Sequence, residues 1–294
     1  MLTYSLFWLG ARLAPLLPEA LGQRGAALAG LLAYLLAGRA RAAVRANLLH
    51  VLGHPPPPAL VRAVFRHGAQ NYYDLFRLPA LGRDRLQALV EVCGWEHLAA
   101  ARAAGRGVLL VTAHFGSVEL VGQLVALSGC PANVVVEPVR PAALLALLRR
   151  LRESYGIRTL PVGPGLLQAI SAALSRNEVV GLLSDRDVLG NGVWVPFFGT
   201  PARLPAGAAA LSLRTGAAVL PAFTLRLPGG RYRGWFEPPL TPVRTGAVHT
   251  DILVNTERIT RVIEAAIRRH PEQWTVFQPV WPADQVERAA ARQQ

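Results

Sequence analysis

The 294-residue chain predicts an α/β fold: a central, mostly parallel sheet with flanking helices, preceded by a helical N-terminal segment that associates with a membrane. Two features point to the sheet. From residue 90 onward, short runs rich in Val, Leu and Ile alternate with longer stretches of helical periodicity. Several of those runs are apolar throughout, as strands covered on both faces are. Before residue 90 the chain is instead Ala- and Leu-rich with helical spacing, broken hard at Pro55–Pro58.

Residues 1–92 read as a helical segment packed on the core. Tyr4, Phe7 and Trp8 lie among leucines as aromatic anchors of an interfacial face. Leu2–Leu21 carries Arg12, Glu19 and two prolines, and the apolar run Gly25–Gly38 is about 14 residues, short of the roughly 20 that a span needs. Gly38–Leu52 sets Arg39, Arg41 and Arg45 beside an apolar stripe, either a membrane-facing basic helix or an ordinary solvated face. Ala59–Leu78 resumes the helical period, with Phe65, Tyr72, Tyr73 and Phe76 as packing residues. The core spans residues 93–282. Strands are expected at Val90–Cys93, Val108–Ala113, Asn133–Glu137, Ile157–Leu160, Val179–Ser184, Ala217–Leu225 and Tyr232–Glu237. Between them lie helices at Trp95–Ala104, Ser117–Ser128, Pro141–Tyr155, Gly165–Ser175 and Pro205–Thr215. Thr250–Arg269 is a last amphipathic helix, and residues 283–294 form a polar tail.

The net charge is +13, and all 31 basic residues are arginine. Without lysine, a Schiff-base, phosphate-loop or kinase-type lysine is excluded. Arginines interleaved with long Leu/Ala runs favour an anionic membrane surface over nucleic acid. No cleavable leader pattern is evident at the start. Cys93 and Cys130, too few for a disulfide scaffold, are expected as small buried apolar residues in a reducing compartment. The expected location is the cytoplasmic face of the cell membrane, peripheral or monotopic.

The chemistry concentrates at Gly107–Leu127, GVLLVTAHFGSVELVGQLVAL. The strand ends at His114, Phe115-Gly116 breaks it, and Ser117 stands where a helix cap would. Within one helix His114 and Glu119 would point roughly 140° apart. A strand, turn and helix instead bring them together, so that the carboxylate holds one imidazole nitrogen and the other serves as a base. The alternative is a strand-end histidine beside a helix start. A second cluster, Asp185-Arg186-Asp187, also falls at a strand end, where ligands of α/β sheets bind. These carboxylates either hold Arg186 between them or position a polar substrate. No histidine neighbours them at metal-ligand spacing, so no metal site is expected.

These motifs together resemble the lipid A and glycolipid branch of the lysophospholipid acyltransferase superfamily, which includes the lauroyl/myristoyl acyltransferases of lipid A and the acyltransferases of phosphatidylinositol mannosides. The likeness runs through Arg45-Ala-Asn47-Leu48, the HX4E pair His114 and Glu119, Glu137-Pro-Val-Arg140-Pro141 and Arg152-Glu153. It continues in Asp185-Arg186-Asp187, Phe197-Phe198-Gly199-x-Pro201-Ala-Arg203 and Pro271-Glu-Gln273-Trp274. The resemblance implies His114 as general base, Glu119 as its orienting carboxylate, and Arg140 and Arg152 on acyl donor or acceptor. It also implies a substrate-binding block of Asp185, Arg186, Asp187 and Arg203. Acyl-coenzyme A or acyl-carrier protein would be the co-substrate, membrane lipid the partner, and no cofactor is implied. The chain departs from the lipid A enzymes in its weak N-terminal anchor, and its DRD–FFG–PAR block is nearer the phosphatidylinositol mannoside group. Arg140 is expected to follow a strand lying beside that of His114. Competing readings are a lipid hydrolase, for which no G-x-S-x-G nucleophile elbow is present, and a non-enzymatic basic membrane-surface protein.

Overall fold

The computed structural model describes residues 2–281; the expected tail lies outside them. The helical segment comprises α1 (Leu2–Leu13), α2 (Glu19–Leu36), α3 (Gly38–Leu52), α4 (Pro58–Arg77) and α5 (Arg83–Leu89). Next come β1 (Val90–Cys93), α6 (Trp95–Ala103), β2 (Val108–Thr112), α7 (Val118–Leu127), β3 (Ala132–Val136) and α8 (Ala142–Arg152). They are followed by β4 (Arg158–Pro161), α9 (Leu166–Ser175), β5 (Val179–Leu183), β6 (Val193–Phe197) and β7 (Thr200–Leu204). The chain closes with α10 (Gly207–Thr215), β8 (Ala218–Arg226), β9 (Tyr232–Phe236) and α11 (Val248–Arg269).

The central sheet is α/β in the expected sense: seven strands in the order β1-β9-β8-β2-β5-β3-β4, with only the β8–β9 pair antiparallel. Every expected strand is present to within one residue at either end. The last residues of the helical segment, from Val90, already belong to the sheet's edge. Strand alternation divides the interior into two cores. Leu109 and Val111 of β2, with Val219 and Phe223 of β8, pack under α9, α10 and α11. Val108, Leu110, Leu220 and Ala222 face the other way, against α5 to α8. At about 25 cal/mol per Å² of apolar surface, burial on both faces makes β2 and its neighbours the stable scaffold of the molecule.

Three expectations need correction. Strand β3 is not beside β2, because β5 inserts between them. Residues 193–204, where the sequence suggests a single aromatic strand after a Gly/Asn turn, fold as an antiparallel hairpin of β6 and β7. Cys93 is exposed at the end of β1; Cys130 alone is buried.

The N-terminal helices are fastened to the sheet by a buried polar cluster. Asp74 of α4 accepts from Tyr232 Oη at 2.7 Å and Gln23 Nε2 at 3.0 Å, and pairs with Arg226 at the end of β8. Asp74 is fully buried and Arg226 nearly so, a pair that holds only because each group is hydrogen-bonded by the rest. Burial pushes the Tyr232 hydroxyl's pKa far up, with the Asp74 charge acting the same way. On its outer side α2 leaves Leu21, Leu28, Leu32, Leu35 and Leu36 exposed, and α1 exposes Leu6, Trp8, Leu9 and Leu13. Among the described residues no single helix is long and apolar enough to cross a membrane; α2 and α3 together pass by length and composition but bend by 96°.

Candidate active site

Strand β2 delivers His114 to the carboxyl end of the sheet. The turn behind it closes tightly: Gly116 has φ +58°, and a Cβ there would stand 1.7 Å from the Thr224 carbonyl oxygen. Only glycine fits that approach. Ser117 occupies the N-cap position of α7, but its buried hydroxyl makes no capping bond. The C-terminal segment lies along this turn like a short strand. Gly116 donates its N–H to Gln273 O at 2.9 Å, Thr275 donates to His114 O at 2.8 Å, and Phe115 bridges Trp274.

The adjacency of β2 and β5 brings Asp185 onto His114. Oδ1 accepts from the imidazole Nδ1 and Oδ2 from the His114 backbone N–H, each at 2.9 Å; Oδ2 also accepts from Trp274 Nε1 at 2.8 Å. Burial disfavours the Asp185 anion, but the His114 charge and these donors outweigh it and hold its pKa below the ordinary value. An ionised carboxylate is acceptor only, so Nδ1 carries the proton. The Nε2 of neutral His114 is then a lone-pair acceptor. No hydrogen bond to it is made by any described residue, and the side chain is 26% exposed. Burial works against the imidazolium, yet the Asp185 charge and hydrogen bond raise its pKa above the usual 6.5. Arg186 opposes that rise and Glu137 assists it.

Glu119 does not hold His114. It stands in the first turn of α7, as expected, but its Oε1 accepts from Arg152 Nε at 2.7 Å. The difference follows from topology: β5 places a carboxylate directly beside the imidazole, whereas Glu119 faces α8. Tyr72 of α4 adjoins this pair. Although the residue is 45% exposed, desolvation at its hydroxyl raises the pKa, with Arg152 opposing and Glu119 and Glu137 assisting.

The three residues of the Asp185 block separate in function. Arg186 pairs not with its neighbouring aspartates but with Glu137, beyond the end of β3. Asp187 accepts from the Gly192 N–H at 2.9 Å and lies 3.4 Å from Arg203 Nε, tying the base of the β6–β7 hairpin. Asp187 and Arg203 thus bond to each other and to the hairpin, not to His114. Arg140, in the loop after β3, is exposed and makes no ion pair among the described residues. Trp274 drew attention in the sequence only as part of a motif; its indole contact with Asp185 joins positions too distant in the chain for spacing to reveal. Among the described residues no three His, Cys, Asp or Glu side chains converge as metal ligands would.

A family model described as bacterial lipid A biosynthesis acyltransferase matches residues 1–282. The phosphatidylinositol mannoside acyltransferase of Mycolicibacterium smegmatis is 32% identical over 293 residues, covering 96% of this chain and 92% of the relative. That of Mycobacterium tuberculosis is 33% identical over 249 residues, covering 82% and 77%.

Proposed function

Because this chain belongs to the bacterial lipid A biosynthesis acyltransferase family and is an acyltransferase, we propose that it moves a fatty acyl group from an acyl thioester to a hydroxyl of a phosphatidylinositol mannoside-type glycolipid. The observation that carries the mechanism is the free Nε2 of His114, whose opposite nitrogen is fixed by buried Asp185.

In this reading Nε2 takes the proton of the acceptor hydroxyl as its oxygen attacks the thioester carbonyl. The tetrahedral oxyanion collapses, the C–S bond breaks, and the imidazolium returns its proton to the departing thiolate. The enzyme supplies no nucleophile, because the attacking oxygen belongs to the acceptor. A base so placed is worth roughly 10²–10⁴ in rate. Asp185 keeps the tautomer that leaves Nε2 basic and stabilises the imidazolium as it forms. Arg140, exposed and without an ion pair among the described residues, suits the anionic portion of acyl-coenzyme A or acyl-carrier protein. Arg186, whose charge bears on that of His114 and which pairs with Glu137, would in this reading meet a developing negative charge on substrate.

The acceptor is reached at a lipid surface. α1 and α2 each expose leucines, and Arg39 and Arg45 of α3 are exposed, a set of groups suited to peripheral binding on the anionic cytoplasmic leaflet.

The test uses purified protein with acyl-coenzyme A or acyl-carrier protein as donor. Acceptors are phosphatidylinositol mannosides, lipid A precursors and a lysophospholipid. The expected result is thiol release matched by an acylated phosphatidylinositol mannoside in the mass spectrum. Thiol release without acylation of any glycolipid, or preference for the lysophospholipid, would overturn the assignment.

A further inference from the structure

We infer that Trp274 is a positioning residue of the reaction: its indole N–H fixes the rotation of the Asp185 carboxylate, and so both the aim and the basicity of His114. The inference rests on the reading of His114 as the base. Three observations lead to it. Trp274 is a large aromatic residue only 2% exposed, and its indole N–H is spent on a carboxylate oxygen at 2.8 Å. That oxygen is the one not used by the imidazole, so the indole and the His114 backbone N–H together settle which oxygen faces Nδ1. The flanking backbone is equally committed to the site, since Gln273 O receives the Gly116 N–H and Thr275 N–H binds the His114 carbonyl. The segment 273–275 therefore forms a wall of the histidine's seat.

The chemical consequence has a definite sign. A donor on Oδ2 withdraws electron density from the carboxylate and makes it a weaker partner for the imidazolium. Losing the indole N–H should strengthen the hold of Asp185 on protonated His114 and raise the pH needed to free the base. The other charged groups near the pair are Arg186 of the β5 loop and Glu137 of the β3 loop, bonded to each other. Beyond them lie Glu119 of α7 and Arg152 of α8, paired together, with Tyr72 of α4 beside them. None of these is a hydrogen-bond partner of Trp274.

Trp281 provides an internal control. It packs on the same Phe197 ring, centroids 5.2 Å apart against 5.9 Å for Trp274, but its Nε1 points to Thr200 O at 3.4 Å and not to Asp185. The experiment compares Trp274→Phe and Trp281→Phe with the full-length enzyme, by pH–rate profile and by NMR titration of the His114 ring. For Trp274→Phe the expected result is an acidic limb and ring titration moved upward by up to about one pH unit, kcat lowered roughly tenfold and donor KM held within about twofold. Trp281→Phe should leave both titrations in place. Should Trp274→Phe fail to fold, benzothienylalanine at position 274 keeps the ring shape without the N–H, and the same shift is expected. Equal titrations in the Trp274 and Trp281 variants, or a downward shift, would overturn the role of Trp274. A His114→Gln enzyme with wild-type turnover would instead overturn the base itself.

Discussion

His114 and Asp185 meet at two points: the carboxylate takes the imidazole Nδ1–H on one oxygen and the backbone N–H of the same residue on the other, each at 2.9 Å. The ring is thereby referenced to its own main chain, and its orientation does not depend on the rotamer of a distant helix. Because Asp185 is fully buried while the histidine keeps an open edge, the pair has a dry side that fixes charge and a side open to solvent.

Replacing Asp185 with Asn is expected to lower kcat by about 10²–10⁴ without unfolding the protein, since an amide no longer enforces the Nδ1–H tautomer or offsets the imidazolium charge. Glu119→Gln should cost less than tenfold by the same measure. Thiol-release assays of both variants rank the two carboxylates, and the reverse order would return the orienting role to Glu119.

The pH profile follows from the sign of the His114 shift. A general base must be neutral, so activity rises with pH through the histidine's pKa. That pKa is raised, so the half-rise should fall above 6.5 in the free enzyme. In Asp185→Asn the raising influence is gone and burial remains, so the half-rise of residual activity should drop below 6.5. A wild-type half-rise below 6.5 in kcat/KM would contradict the geometry.

Glu119 and Arg152 are mostly buried, with side chains 18% and 22% exposed. Removing either alone leaves a charge in a poor solvent, so Glu119→Ala should destabilise more than the Glu119→Ala, Arg152→Ala double variant relative to what additivity predicts. Urea unfolding of the four proteins should give a coupling of about 0.5–3 kcal/mol. Additive losses would show that the pair is not structural, and would leave Arg152 free to serve the donor.

Vesicle binding separates the part of the leucines from that of the arginines. Flotation with phosphatidylglycerol vesicles should weaken as salt is added, because the Arg39 and Arg45 contribution is screened. Leu32→Asp with Leu36→Asp should abolish flotation while leaving the melting temperature unchanged, as these side chains are 59% and 84% exposed. Flotation indifferent to lipid charge would remove the electrostatic part.

How far the sequence carried the site depended on whether the information was local. The apolar run of β2 and the glycine after His114 marked the end of a central strand, and Asp185 was recognisable at another. What spacing could not supply was the lateral order of strands. With β5 rather than β3 beside β2, the imidazole met Asp185, and Arg140 stood two strands away instead of one. The β6–β7 hairpin was obscure for a different reason. Its two-residue turn is Phe198-Gly199, both with positive φ, where Asn-Gly is the usual signal, and Pro196 pairs with Pro201, so the aromatic strand was legible but its partner was not. The Ser117 hydroxyl shows the limit at a helix start: the residue occupied the cap position without making the cap.

The cluster of Asp74, Arg226, Tyr232 and Gln23 has a consequence for the proposed work of the molecule at a lipid surface. It ties α2 and α4 to the rim of the sheet from which His114 projects. A protein resting on the leucines of α2 would carry His114 at a fixed height above the lipid, like a tool held in a jig. If His114 is the base, a sugar headgroup would offer it many hydroxyls of similar reactivity, and the one standing at that height would be the one acylated. Regioselectivity would then be set by the stiffness of a buried ion pair rather than by recognition of each hydroxyl in turn.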